Sequence, residues 1–201
     1  MSSQKSRQYR LGQRAESMEQ TRERIAKATF ELHGLVGPAR TTIAAVAERA
    51  GVERATVYRH FPDELSLYHG CIGHGRAKHP FPDTSTWTAI EDPEERLRTG
   101  LRALYSYYRS VEYVLTNVVR DLPDMPVFQR AYAELGIFAY YEGVRAVLCE
   151  PYRKRSRFKI ISAATGHATQ FPTWQSLVRG QGLSDPQAVE AMVGMVRCLA
   201  D

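Results

Sequence analysis

Residues 41–61 read Thr-Thr-Ile-Ala-Ala-Val-Ala-Glu-Arg-Ala-Gly-Val-Glu-Arg-Ala-Thr-Val-Tyr-Arg-His-Phe. Ile43, Val46, Ala47 and Ala50 recur at steps of three and four, which draws one apolar stripe along a helix. Gly51 supplies a permissive backbone where the chain reverses, and its missing side chain lets two helices approach. Val52, Val57 and Phe61 are expected to face back onto the first of these helices. Arg54, Ala55, Thr56, Tyr58 and His60 are then left pointing elsewhere. Ala47, Gly51 and Val57, at offsets of zero, four and ten, match the small–Gly–aliphatic skeleton of a helix-turn-helix.

Outward from this stretch the pattern stays helical. Residues 1–16 are polar and basic with no apolar period, which predicts a flexible basic arm. A helix is expected from Ser17, where Ser17 and Gln20 have capping-box spacing, and Ile25, Ala28, Leu32 and Leu35 mark its buried face. Gly34 and Gly37-Pro38 end it, and Thr41 or Thr42 caps the next. Phe61-Pro62 closes the third helix, and Pro62 opens a fourth, over about 62–76. Asp92-Pro93-Glu94-Glu95 is a helix start with acid at the positive dipole end. Leu97, Leu101, Leu104, Tyr105 and Tyr108 continue it, and a further amphipathic stretch covers 111–120. Beyond a loop at 121–126, one long helix is expected to about Cys149. Residues 156–179 read as helical with a kink at Pro172. Ser184 and Gln187 have capping-box spacing and open a last helix to about Leu199. The predicted fold is all-α: an arm over 1–16, a helix-turn-helix head over 17–61, and a larger helical domain over 62–201.

Composition narrows the class. The 201 residues are 43% hydrophobic and 24% charged, as in an ordinary globular protein. No apolar run approaches the roughly 20 residues that span a bilayer, and the polar N-terminus has no signal-peptide h-region. Cys71, Cys149 and Cys198 are odd in number, far apart and free of any Cys-x-x-Cys pair, as expected of free thiols in the cytoplasm. The net charge of +5 is unevenly spread. Residues 1–60 hold 11 Lys/Arg against 6 Asp/Glu, whereas the remaining 16 Lys/Arg and 16 Asp/Glu cancel. The excess positive charge therefore sits on the segment with the helix-turn-helix, as a phosphate-binding surface requires.

The string Thr-Thr-Ile-x-x-Val-Ala-x-x-Ala-Gly-Val-x-x-x-Thr-Val-Tyr-x-His-Phe at 41–61 resembles the TetR family of bacterial transcriptional regulators. The likeness covers about 18–70, and more loosely Thr-Trp-Gln-Ser-Leu at 173–177 and Gly-Leu-Ser-Asp at 182–185. It implies that Thr42, Tyr58 and His60 contact phosphates and that Arg54, Ala55 and Thr56 face base edges. The chemistry agrees. Thr42 can cap a helix and present its N–H groups to phosphate, Arg54 suits guanine O6 and N7, and Arg59 adds a cation. One position departs: the lysine common at the start of the fourth helix is Glu64 here, preceded by Asp63. A carboxylate there repels phosphate, and the basic arm is the expected compensation.

The resemblance also implies a homodimer, bound as a repressor to a palindromic double-stranded operator and released by a small effector. Tyrosines and phenylalanines crowd residues 105–141, and a pocket lined by such rings suits an apolar or aromatic molecule. The expected ligand contacts are Tyr105, Tyr108, Tyr113, Asn117, Tyr132, Tyr140 and His167. The last helix is apolar nearly all round, so a partner chain is expected to cover it. Trp174, Val189, Met192, Val193 and Val196 are the expected dimer contacts. Control by a partner protein or a metal, without a small-molecule pocket, is the alternative. His69, Cys71, His74 and His79 do not place three ligands on one helical face, and the basic run at 152–159 reads as a solvated loop. No metal or cofactor is expected. No nucleophile elbow, P-loop or dinucleotide fingerprint occurs, so the sequence gives no enzyme reading.

Overall fold

A computed structural model describes the backbone of residues 2–200 and the side chains of residues 12, 13 and 15–200. Helices α1 (Ser2–Leu35), α2 (Ile43–Ala50), α3 (Arg54–His60) and α4 (Glu64–Lys78) are followed by α5 (Pro93–Asp121), α6 (Pro126–Glu134) and α7 (Ile137–Cys149). Helices α8 (Phe158–Ala168), α9 (Phe171–Gln175) and α10 (Asp185–Ala200) complete the order, and no strand occurs among the described residues. The chain divides into two compact units, Met1–Pro80 with Thr116–Ala131, and Phe81–Leu115 with Tyr132–Asp201.

The first unit is organised by the apolar stripe of α1. Ile25, Ala26, Ala28 and Leu32 pack against Val46, Ala47 and Ala50 of α2, with Val57, Phe61 and Leu67 closing the cluster. Burying a side chain such as Ile25 or Val57 contributes about 1.5–3 kcal/mol each, which holds the short α2 and α3 against their low intrinsic helicity. The last turn of α5 joins this unit as well. Asn117 donates to the carbonyls of His33 (3.1 Å) and Gly34 (2.8 Å), and Arg120 donates to that of Val36. Asp121 accepts from the Ala39 amide at 3.1 Å. The Asn117 and Arg120 bonds add donors to carbonyls at and just past the C-terminus of α1, where the His33 carbonyl also accepts from the Gly37 amide at 3.1 Å. The compact unit that holds residues 17–61 also takes in α4 and residues 116–131.

The second unit is built on one face of α5. Leu97, Leu101, Leu104, Tyr105 and Tyr108 are fully buried against α7, α8 and α10. Ion pairs clip its rim: Arg98 with Glu190, Arg109 with Asp185, and Arg179 with Glu112.

Four expectations change. Helix α1 begins at Ser2, so the arm expected over 1–16 continues α1; the segment has no proline, and extending an existing helix costs far less than nucleating one. The arm's cations Lys5, Arg7, Arg10 and Arg14 lie outside the described side chains. The two stretches at 93–120 form one 29-residue helix. The long helix expected from 127 to 149 is broken at Gly136, whose φ of 71° leaves the right-handed region. The break near Pro172 lies just before it, at Thr169-Gln170, and Pro172 sits in the first turn of α9, where its missing N–H is not needed.

Candidate DNA-binding site

Helix α2 starts at Thr42, whose hydroxyl oxygen accepts from the Ala45 amide at 3.2 Å. That bond uses a lone pair and leaves the exposed hydroxyl proton free for an outside acceptor. Gly51 ends α2 at φ 63°, ψ 44°, and the Val52 amide returns to the Ala47 carbonyl at 3.0 Å. This left-handed cap is the pivot that turns the chain into α3.

Helix α3 is anchored by Val57, which is wholly buried, and by Phe61 just past its end. Arg54, Ala55, Tyr58 and Arg59 are exposed around it, and Thr56 is half-buried. Tyr58 keeps 54% of its surface open, a large aromatic group with no core to serve. Among the described residues Arg54 and Arg59 make no ion pair, whereas Arg49 on α2 is held by Glu31 at 2.7 Å. The outer face of α3 thus combines two uncommitted guanidinium groups, a phenol and a small methyl, a set able to donate to phosphate and base edges.

His60 differs from the reading that points it outward: only 8% of it is exposed. Arg22 of α1 lies against this end of α3. Its guanidinium donates to the His60 carbonyl at 2.6 Å and lies over the Phe61 ring at 4.2 Å. Burial, then the charges of Arg59 and Arg22, hold the imidazole pKa below its ordinary value, with Glu19 opposing. His60 is therefore mainly neutral near pH 7 and offers an N–H, not a full charge.

The acidic pair after α3 has a local role. Asp63 accepts from the Ser66 amide at 2.7 Å, while the Ser66 hydroxyl closes the reciprocal half of a capping box at the head of α4. Hydrogen bonds from the Ser66 amide and hydroxyl lower the Asp63 pKa. Glu64 follows in the first helical turn, where the dipole favours a carboxylate.

The residues expected to touch a ligand do not gather at one place. Tyr105 and Tyr108 are sealed in the core and donate to the carbonyls of Ala168 and Thr169. Tyr113 is half exposed, Tyr132 lies beside Phe138, and His167 is exposed near Thr173. Asn117 belongs to the first unit, on the α1 carbonyls. Tyr140 instead gathers with Phe81, Tyr107 and Tyr141, three residues the sequence reading did not select. The only pointer to Phe81 was its setting between Pro80 and Pro82.

The expected dimer contacts need correction. Trp174, Val189, Met192, Val193 and Val196 are each at most 6% exposed within the single chain. Trp174 donates to Asp185 at 3.0 Å. These side chains are consumed by their own core, because α10 packs directly on α8. Of the cysteine–histidine run, Cys71 faces His33, His74 bonds Glu23 and His79 stacks on Phe30, so the run is dispersed. No helix among the described residues is long and apolar enough to cross a membrane.

Comparison with known proteins agrees with this site. Residues 25–69 match the family model of bacterial regulatory proteins, tetR family. No curated protein matches the sequence. A candidate fatty acid metabolism regulator of Clostridium perfringens superposes with a TM-score of 0.63 at 16% identity, over 86% of this chain and 96% of its own. A candidate TetR-family transcriptional regulator of Mesorhizobium loti gives 0.61 at 16% identity, over 90% and 96%. NalD of Pseudomonas aeruginosa, the secondary repressor of the MexAB-OprM multidrug efflux pump, gives 0.58 at 20% identity, over 90% and 95%. At these identities the superpositions establish the shared fold. The helix-turn-helix segment 25–69 is thus similar to that of bacterial regulatory proteins of the tetR family, and the chain shares the fold of these solved regulators.

Proposed function

We propose that the chain is a repressor that binds a palindromic operator as a homodimer and is released by a small apolar or aromatic effector. The observation that carries the DNA half is the α3 surface: Arg54, Ala55, Tyr58 and Arg59 exposed around the buried Val57. Thr42 and Thr56 flank it, and Thr42 and the small exposed edge of His60 are the phosphate donors of this reading. Glu64 contributes repulsion at one edge.

The dimer half rests on what the core leaves uncovered. Helix α8 exposes Ile160, Ala163 and His167, and α10 exposes Ala191, Met195 and Cys198, each set at helical spacing. Ile160 and Met195 are each 51% exposed. Two such stripes suit a self-complementary contact about a two-fold axis. A two-fold dimer matches half-sites roughly 34–36 Å apart.

The test is selection of bound sites from random duplex DNA, followed by affinity measurements at two salt concentrations. A palindromic consensus whose affinity falls steeply with salt is the expected result. Binding with no sequence preference would remove the operator reading.

A further inference from the structure

We propose that Phe81 is a built-in occupant of the effector site, and that the effector is a neutral single-ring aromatic molecule bearing a carbonyl, which acts by displacing it. This rests on the reading of the chain as an effector-released regulator.

The geometry is that of a ligand in a cage. The Phe81 ring stacks on Tyr140 with centroids 4.3 Å apart and planes 16° from parallel. Tyr107 meets it edge-on at 5.3 Å and 74°, and Tyr141 at 6.1 Å and 60°. Tyr140 and Tyr141 are themselves perpendicular neighbours at 5.3 Å. These are the offset and edge arrangements that aromatic rings prefer. The Tyr140 hydroxyl donates to the Pro82 carbonyl at 3.0 Å. The cage thus holds one flat ring and one carbonyl oxygen, both from the dipeptide Phe81-Pro82.

That dipeptide belongs to no helix. Phe81 and Pro82 lie outside any helix, between α4 and a short turn at Thr84–Trp87, and both stay partly exposed. Proline on each side removes two backbone donors and keeps the segment extended. The cage itself is fixed from behind, because Tyr141 donates to the Tyr108 hydroxyl, which donates to the Thr169 carbonyl. A molecule presenting a ring and a carbonyl therefore meets a site already shaped for it, and its binding cost is ejection of Phe81.

Ejection reaches the head through the chain. Phe81 is three residues past Lys78, the last residue of α4. His79, two residues before Phe81, closes α4 through its amide on Gly75 (2.8 Å) and stacks on Phe30 of α1 at 6.3 Å. Only Pro80 separates the ring that packs on α1 from the ring in the cage. An effector that binds with Phe81 out and not with Phe81 in shifts that equilibrium by its difference in affinity.

The test uses the full chain and acetophenone as the probe, with toluene as a ring without the carbonyl. Calorimetric titration should give Phe81→Ala an acetophenone affinity at least tenfold above that of the wild type, with Phe81→Leu between them. Tyr140→Phe in the Phe81→Ala background should erase the preference for acetophenone over toluene. Equal affinities in wild type and Phe81→Ala, or no binding to either, overturn the proposal. If Phe81→Ala does not fold by circular dichroism, the same comparison is made with Phe81→Leu alone. A second arm measures wild-type affinity for the selected operator with and without saturating acetophenone. Loss of operator affinity is expected, and binding without release overturns the regulatory half. A chain that selects no operator defeats the repressor reading while leaving the calorimetric result to stand on its own.

Discussion

The Nδ1 of His33 lies 3.4 Å from the Sγ of Cys71, and the Nε2 on the other side of the same ring is buried with no hydrogen-bond partner. Tyr68 and Phe128 wall the imidazole at 6.1 and 5.6 Å, and only 1% of the residue is exposed. An unmet polar atom in a core costs stability. It also makes the first unit sensitive to acid.

Burial lowers the His33 pKa to about 4, against the attraction of Asp121. Burial also raises the Cys71 thiol, which stays protonated. The unfolded imidazole titrates near 6.5, so the unfolded chain binds the extra proton first. Stability is then full above pH 6.5 and is lost as pH falls toward 4, by roughly 3 kcal/mol in all. Urea unfolding at pH 7.5, 6, 5 and 4 should show that decline, with His60 adding in the same direction. His33→Leu should flatten most of it. A His33→Leu slope equal to the wild type's would assign the acid sensitivity elsewhere.

His60 links pH to operator binding with the opposite sense. Free, its pKa is held below the ordinary value by burial and by Arg59 and Arg22. A phosphate beside the ring favours the protonated form, so binding takes up a proton. Operator affinity should therefore rise as pH falls from 8 toward 6, and His60→Gln should lose that dependence. A pH-independent wild-type affinity would take His60 away from the phosphate.

The α3 surface separates two kinds of contact. Arg54→Ala should cost about 1–3 kcal/mol on the preferred operator and relax preference at one base pair. Tyr58→Phe should weaken all sequences alike, as loss of a phosphate contact does. Gel-shift titrations against single-base operator variants distinguish these patterns. An Arg54→Ala protein with an unchanged consensus would remove Arg54 from the residues that read bases.

Gly51 isolates backbone strain from crowding. Its φ is 63°, yet a methyl group placed there would meet nothing within 4 Å. Gly51→Ala should then cost only the left-handed penalty of about 1–2 kcal/mol, read as a lower unfolding midpoint with α2 and α3 intact. A loss several-fold larger would mean that the turn depends on close packing after all.

These examples show what could be read in advance. Thr42 and the Ser184–Gln187 pair cap their helices as expected, since a cap needs only residues three apart. The buried stripes of α1 and α2 followed from periodicity for the same reason. The Gly136 break was missed because a glycine in an apolar helical pattern is tolerated as often as not. The caging of Phe81 joins residues 59 or 60 positions apart, and 26 in the case of Tyr107, and the grip of Asn117 on α1 joins residues 83 or 84 apart. No local pattern encodes such pairs. The burial of His60 was not legible either, and Arg22, which bonds its carbonyl, lies 38 residues upstream.

The face of α10 gives the sharpest check on assembly. Met192 and Met195 are one helical turn apart, yet Met192 is 6% exposed and Met195 is 51% exposed. A lysine at 192 would bury a charge in the single-chain core, where it is costly even before any partner is considered. A lysine at 195 would meet only solvent in an isolated chain. Met195→Lys together with Ile160→Lys should therefore keep the helix content and unfolding midpoint of the monomer while shifting sedimentation from dimer to monomer. Operator affinity should fall with it, because each half-site then binds alone. Met192→Lys should instead lower the unfolding midpoint at every protein concentration. If the double variant stays dimeric, the partner surface lies away from α8 and α10.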